Sequence, residues 1–415
     1  MESAFNAGDN AFILVSALLV FIMTPGLGFF YGGLGRRKNV VNNLMASFFI
    51  LGAGMIMWAV IGYSLAFTGN TLGIVGSLDN FFLMSITKDS LSGSISEYTF
   101  VGFQMMFALI TPAIITGAVS GRMKFSALFI FIVFWSLIVY YPLAHMVWGS
   151  GGLLGADGLG SLDFAGGNVV HISSGVSGLV LCLILGKRQG YDVTSYRIHN
   201  VPFVALGAAL LWFGWYGFNA GSALAADGLA AHAFLTTSFA TAGGLLSWIF
   251  IDILRKRKPS LISACTGIVA GLVAITPAAG FVPVWSSIII GFTAGPICYY
   301  VIVFVKKSLK FDDALDAFGC HGIGGIWGGL MTGLFASPAV NAAAGNGLFF
   351  GEFKQFGAQI AAILITIAIA IVGTLICVAL TRLFTSLRVE KRDELIGLDL
   401  SQHGENAYPS FTGLD

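Results

Sequence analysis

An all-α protein that crosses a membrane many times is the fold this sequence predicts, on three observations. Hydrophobic residues fill 56% of the 415 positions and charged ones only 10%, a balance far from that of soluble chains. Apolar runs of roughly 17–25 residues, the length that crosses a ~30 Å hydrocarbon core, follow one another along most of the chain. The 55 glycines are spread through those runs, as in Gly32-Gly33, Gly243-Gly244 and Gly322 to Gly329. Small residues there let helices pack closely, because lipid provides no hydrophobic drive between them.

Taken in order, the spans fall at about 11–34, 42–67, 98–119, 125–147, 164–186, 201–222, 231–254, 261–276, 284–305, 314–335 and 356–384. The eighth is short and ends at Thr276-Pro277, and the eleventh is long enough to tilt strongly or to project beyond the bilayer. Residues 1–384 are expected to form the transmembrane domain. From about Thr385 the chain turns polar and charged, which predicts a cytoplasmic tail over 385–415. Met1 to Asn10 carries no basic stretch, so the N-terminus is expected to be retained rather than cleaved with a signal peptide.

Lysine and arginine set the orientation. All 21 except Lys88 and Lys354 lie in or beside odd-numbered connections or the tail. Those segments are therefore expected on the cytoplasmic side and the N-terminus outside, which requires an odd number of spans.

His171 and His321 stand inside apolar stretches, each eight residues after an aspartate, Asp163 and Asp313. Span five then runs inward and span ten outward. Eight helical residues cover about 12 Å, so both histidines are expected near the midplane, approached from opposite faces. That is the pattern of an inverted repeat, making the chain 5 + 5 helices plus one long tilted C-terminal helix. Neutral imidazole can give and take a proton there at modest cost. The aspartates, at helix starts, also suit capping of free N–H groups.

Several classes are excluded. Five scattered cysteines have no CxxC spacing, and Cys320 beside His321 points about 100° away on a helix with no fourth ligand apparent, so no metal site is expected. No P-loop, nucleotide fingerprint or nucleophile motif is present, which argues against an enzyme and against any cofactor. A net charge of +1 gives no argument for nucleic acid.

Trp215, Phe218, Asn219 and Ser222 form one stripe down span six, and Phe103 and Phe107 are i and i+4 on span three. Ser222 and Trp148 fall at outer span ends. An aromatic cluster with a hydroxyl suits a small cation; the same residues also fit an interfacial aromatic belt.

Asp163-Phe164-Ala165-Gly166-Gly167-Asn168-Val169-Val170-His171, followed by Gly186-Lys187-Arg188, closely resembles the ammonium transporter (Amt/Mep/Rh) family. The likeness continues through Phe29 to Gly33, Ala144 to Gly149, Gly214 to Ser222, Asp316 to Gly322 and His403 to Tyr408. It implies a homotrimer in the plasma membrane with one pore per protomer. Phe107, Trp148 and Ser222 match the family's external ammonium site, Phe107 and Phe218 its stacked phenyl gate, and His171 and His321 its hydrogen-bonded histidines. Asp163 matches a carboxylate needed for the outer site, with Trp215 and Phe103 as neighbouring support. Trp148 favours the bacterial or archaeal Amt branch over the Rh branch.

The resemblance further implies conduction of ammonium as ammonia, with or without a separately carried proton, and a PII-type signal protein at the cytoplasmic face. An ammonium sensor and an Rh-type neutral gas channel are the alternatives. The departures are Cys320, where many relatives carry an aliphatic residue, the loop at 337–352, and the extension Pro409 to Asp415.

Overall fold

The computed structural model describes residues 4–191 and 197–408, so the extension from Pro409 lies outside the described residues. Eleven apolar helices form a single bundle: α1 (Ala7–Leu34), α2 (Arg37–Phe67), α3 (Glu97–Val119), α4 (Phe125–Trp148), α5 (Gly167–Leu185), α6 (Val201–Ala223), α7 (Gly228–Leu254), α8 (Leu261–Ile275), α9 (Val284–Leu309), α10 (318–335) and α11 (Phe353–Arg382). Among the described residues, nine are long and apolar enough to cross a membrane. The other two are α8, which has only 15 residues, and α10, whose hydropathy is diluted by glycine and a histidine.

Five traverses bring the chain to the end opposite its start, so α6–α10 repeat α1–α5 in inverted sense. Equivalent helices of the two halves pack through glycine. On α6, a Cβ at Gly207 would lie 2.6 Å from Phe30 Cα, and on α1 one at Gly33 would lie 2.6 Å from Val204 N. At those points the α1 and α6 backbones touch, and the contact supplies the van der Waals energy that lipid-facing helices otherwise lack.

Two boundaries differ from expectation. Spans expected at 164–186 and 314–335 begin as helix only at Gly167 and Phe318. Before each, the chain turns through left-handed backbone, φ +117° at Gly166 and φ +60° at Asp316. The apolar residues Phe164, Ala165, Ala314 and Leu315 extend the hydropathic run without extending the helix. His171 and His321 therefore stand in the first turn of their helices. Their depth comes from helices that start inside the protein, with Asp163 and Asp313 both buried.

Between α2 and α3 a short hairpin pairs Leu91–Ser92 with Ile95–Ser96, which hydropathy did not foretell. At the lysine- and arginine-rich end, the chain after α11 folds back on the bundle. Its Arg388 donates to the carbonyl of Leu185, which ends α5, and to that of Lys187 just past it. Beyond the short α12 (Lys391–Ile396), Asp399 accepts from the Asn42 amide at 2.8 Å near the start of α2, and Leu398 N donates to Asn39 Oδ1. Glu394 and Asp399 are both buried.

Replacing Gly207 with valine must separate α1 from α6. Crowding of this kind costs about 1–3 kcal/mol, and more where backbone rather than a side chain must move. We expect Gly207→Val to lower the melting temperature in detergent by at least several degrees, while Gly52→Ala, at a position with open space around it, leaves it unchanged.

Candidate functional site

The Asp163 carboxylate accepts four backbone N–H groups, from Gly166 (2.8 Å), Gly167 (2.5 Å), Asn168 (2.7 Å) and Val169 (3.3 Å). It thereby satisfies the free donors of the first turn of α5. Asp313 does the same for α10 through Ala317 N (3.1 Å) and Phe318 N (2.8 Å). Both first turns are π-helical, Gly167–Ile172 and Phe318–Gly322, a wide turn often found where a side chain is re-aimed. Here it carries His171 and His321.

The Asp163 carbonyl also accepts from Trp148 Nε1 at 2.9 Å. One residue thus orients the indole of α4 and caps α5. The Trp148 ring lies at 84° to Phe107, centroids 5.8 Å apart. These two, with Gln104, Ser222 and the turn before α5, line a cavity of about 290 Å³ open at the lysine-poor end. Ser222 Oγ donates to the Phe218 carbonyl at 2.8 Å, so its lone pairs stay available as acceptors. Ring faces and hydroxyl oxygens attract a cation that carries N–H bonds.

Below this cavity Phe107 and Phe218 stack with centroids 4.2 Å apart and an interplanar angle of 29°. Both are essentially without solvent exposure. Beneath Phe218 lies His171, stacked at 6.1 Å, and Trp215 stacks on the same imidazole at 5.4 Å. His171 Nδ1 and His321 Nδ1 are 3.2 Å apart. One Nδ1 must donate and the other accept, so the two neutral rings adopt opposite tautomers. The pair then presents one Nε2 acceptor and one Nε2–H donor. His171 Nε2 is buried with no partner among the described residues.

The nine residues proposed from the sequence for the outer site, its support, the phenyl gate and the histidine pair lie in this one region, at different levels. Phe107, Trp148 and Ser222 line the cavity, as does Asp163. Phe103 stands behind Phe107, edge-on at 5.0 Å. Trp215 lies deeper than the mouth, beside the histidines, its indole N–H held by Thr276 Oγ1 at 2.8 Å. Asn219 leaves the stripe on α6 and turns to Thr237 on α7.

Sequence reasoning missed Gln104. It sits three residues before Phe107, faces the cavity, and keeps a buried Oε1 with no partner among the described residues. A lone amide on the phenylalanine-bearing face of an apolar span was the available signal. Among the described residues no cluster of His, Cys, Asp and Glu could hold a metal ion.

The profile of the Ammonium Transporter Family matches residues 11–408. An ammonium transporter of Bacillus subtilis is 49% identical over 404 residues, covering 97% of this chain and 98% of its own. One from Aquifex aeolicus is 45% identical, covering 98% and 95%. Among solved structures, Saccharomyces cerevisiae Mep2 superposes with a TM-score of 0.87 at 38% identity, covering 94% of this chain and 88% of its own. A protein described as a sensor Amt protein gives 0.85 at 30% identity, covering 95% and 98%.

Removing the Asp163 carboxylate strands four amides in the interior. Breaking a buried charged interaction on one side costs about 3–5 kcal/mol. Asp163→Ala is expected to lose stability on that scale and Asp163→Asn, which keeps one acceptor oxygen, clearly less. Equal denaturation midpoints for the two variants in detergent would refute the capping role.

Proposed function

The chain belongs to the Ammonium Transporter Family, and from that membership and the layered geometry of its interior we propose how it moves ammonium across the plasma membrane. Ammonium is held between Trp148, Phe107 and Ser222. It gives up its proton at the Phe107–Phe218 stack, either back to water of the outer cavity or onward to the neutral His171–His321 pair, since a full charge is costly in the apolar passage below. Ammonia then passes beside His171 and His321. The observation that carries this reading is the His171–His321 contact at 3.2 Å directly under the stacked phenyl rings: a polar, proton-handling pair in an otherwise apolar path. Potassium is excluded, having no proton to lose and finding too few oxygens to replace its water.

Placement of basic residues supports a cytoplasmic tail and an outside N-terminus. The tail over 385–415 forms a cytoplasmic segment distinct from the transmembrane domain over 1–384. Family resemblance supports a homotrimer, and the likeness at His403 to Tyr408 supports a PII-type signal protein docking at the cytoplasmic face. Tyr408 hydrogen-bonds His199 and lies under the Arg37 guanidinium, beside a cavity of about 710 Å³ between the tail and the first and fifth connections. The protein catalyses no covalent chemistry on its substrate beyond proton transfer and takes no cofactor.

Purified protein in liposomes tests the transport reading. An ammonium gradient should drive rapid uptake; accompanying current marks a proton carried through, and alkalinisation without current marks passage of ammonia alone, as in a gas channel. Neither response would leave a sensor. His171→Ala and His321→Ala should abolish uptake or change its selectivity in folded protein, and parental flux and selectivity in both would remove the histidines from the mechanism.

Trp148→Leu removes a cation–π contact of about 0.5–2 kcal/mol, up to roughly thirtyfold in affinity. The concentration for half-maximal uptake should rise accordingly while stability hardly changes. For the tail, a pull-down with PII-type proteins in ATP, ADP and 2-oxoglutarate should give nucleotide-sensitive binding; its absence in every condition would refute the partner.

A further inference from the structure

Helices α5 and α10 cross antiparallel at the level of the histidines, and the crossing has a reciprocal construction. Four residues after His171 comes Gly175, and four after His321 comes Gly325. Residues i and i+4 share a helix face, so each glycine looks at the opposite helix beside its own histidine. A Cβ on Gly175 would fall 2.5 Å from Gly322 Cα and 3.1 Å from the His321 carbonyl carbon. One on Gly325 would fall 3.0 Å from His171 Cβ, 3.0 Å from Ile172 Cγ1 and 3.1 Å from the Gly167 carbonyl oxygen. Each histidine-bearing turn therefore lies in a notch that the other helix leaves open. Glycine is a poor choice in a helix interior, and at two matched positions the close approach supplies the reason.

We propose that Gly175 and Gly325 are positioning residues that set the distance between the two imidazoles. The inference rests on the reading of His171 and His321 as pore residues for its functional consequence, though not for its geometry. Comfortable carbon contacts lie near 3.5–4.0 Å. A methyl group at 175 therefore needs a displacement of roughly 1 Å against backbone, and one at 325 a few tenths of an ångström against His171 itself. The Nδ1 atoms are already 3.2 Å apart. Either displacement, directed along the line between the helices, takes them beyond hydrogen-bond range.

The test uses full-length protein with ¹⁵N-labelled histidine in lipid bilayers, compared with Gly325→Ala, Gly175→Ala and Gly178→Ala. Gly178 lies on α5 away from the crossing, where an added Cβ meets only the Ala118 methyl at 3.0 Å. The readout is the ¹⁵N–¹⁵N coupling across the imidazole hydrogen bond by solid-state NMR, with ammonium flux measured on the same preparations. The parent and Gly178→Ala should show the coupling. Gly325→Ala should fold with a near-parental melting temperature, lose the coupling and transport on the order of tenfold more slowly, and Gly175→Ala should lose more.

Folded Gly325→Ala that keeps the coupling would overturn the inference, as would its absence in the parent. Coupling lost with flux intact would uphold the positioning role and overturn the pore reading instead. Where Gly175→Ala fails to fold, Gly325→Ala decides alone.

Discussion

Two buried carboxylates hold the free N–H groups at the starts of α5 and α10, and the interior arrangement depends on them. A helix that begins inside a membrane protein exposes donors that neither lipid nor water can satisfy. Asp163 takes four of them and Asp313 takes two. The starts can then lie within the protein, and the first turns can carry histidines that meet. Because Asp163 also fixes the Trp148 indole through its carbonyl, the orientation of the aromatic mouth and the origin of the histidine-bearing helix are mechanically one feature.

Electrostatics explains the layering. Asp163 lies in the cavity wall, yet its charge is spent on backbone amides. In the proposed outer site, attraction for a cation is thus left to ring faces and the Ser222 hydroxyl, which are weak enough to release what they attract. Below them come two stacked phenyl rings and then neutral imidazoles. On the transport reading proposed above, hydration is surrendered at the rings, where an ion without a removable proton gains nothing in return.

At the basic end the same device recurs in another setting. Asp399 reaches the backbone near the start of α2, and Arg388 takes one carbonyl at the end of α5 and one just past it. The chain after α11 is thereby tied to the termini of two helices, one of which bears His171. Burial raises the Asp399 carboxyl above its usual range, against the opposing hydrogen bonds from the α2 amides. Arg188 and Arg122 have the opposite effect on Asp312: burial pushes its carboxyl up, but the two guanidiniums outweigh burial and hold it below the usual range.

The class, the eleven spans, the inverted repeat and the membership of His171, His321, Phe107, Trp148, Ser222 and Phe218 in one region were all legible in the sequence. Each of these is written in one-dimensional quantities: the length of an apolar run, helical spacing, or an ordered set of motifs. Where α5 and α10 begin was not legible there, because Phe164 and Leu315 are equally apolar inside or outside a helix and the start is set by which amides Asp163 and Asp313 can reach. Packing in three dimensions placed Trp215 beside the histidines rather than at the mouth, turned Asn219 towards Thr237, and put Gln104 in the cavity wall. Those outcomes depend on which helix packs against which face, and therefore on glycine contacts such as Gly207 with Phe30 and Gly175 with Gly322, whose partners lie far away along the chain.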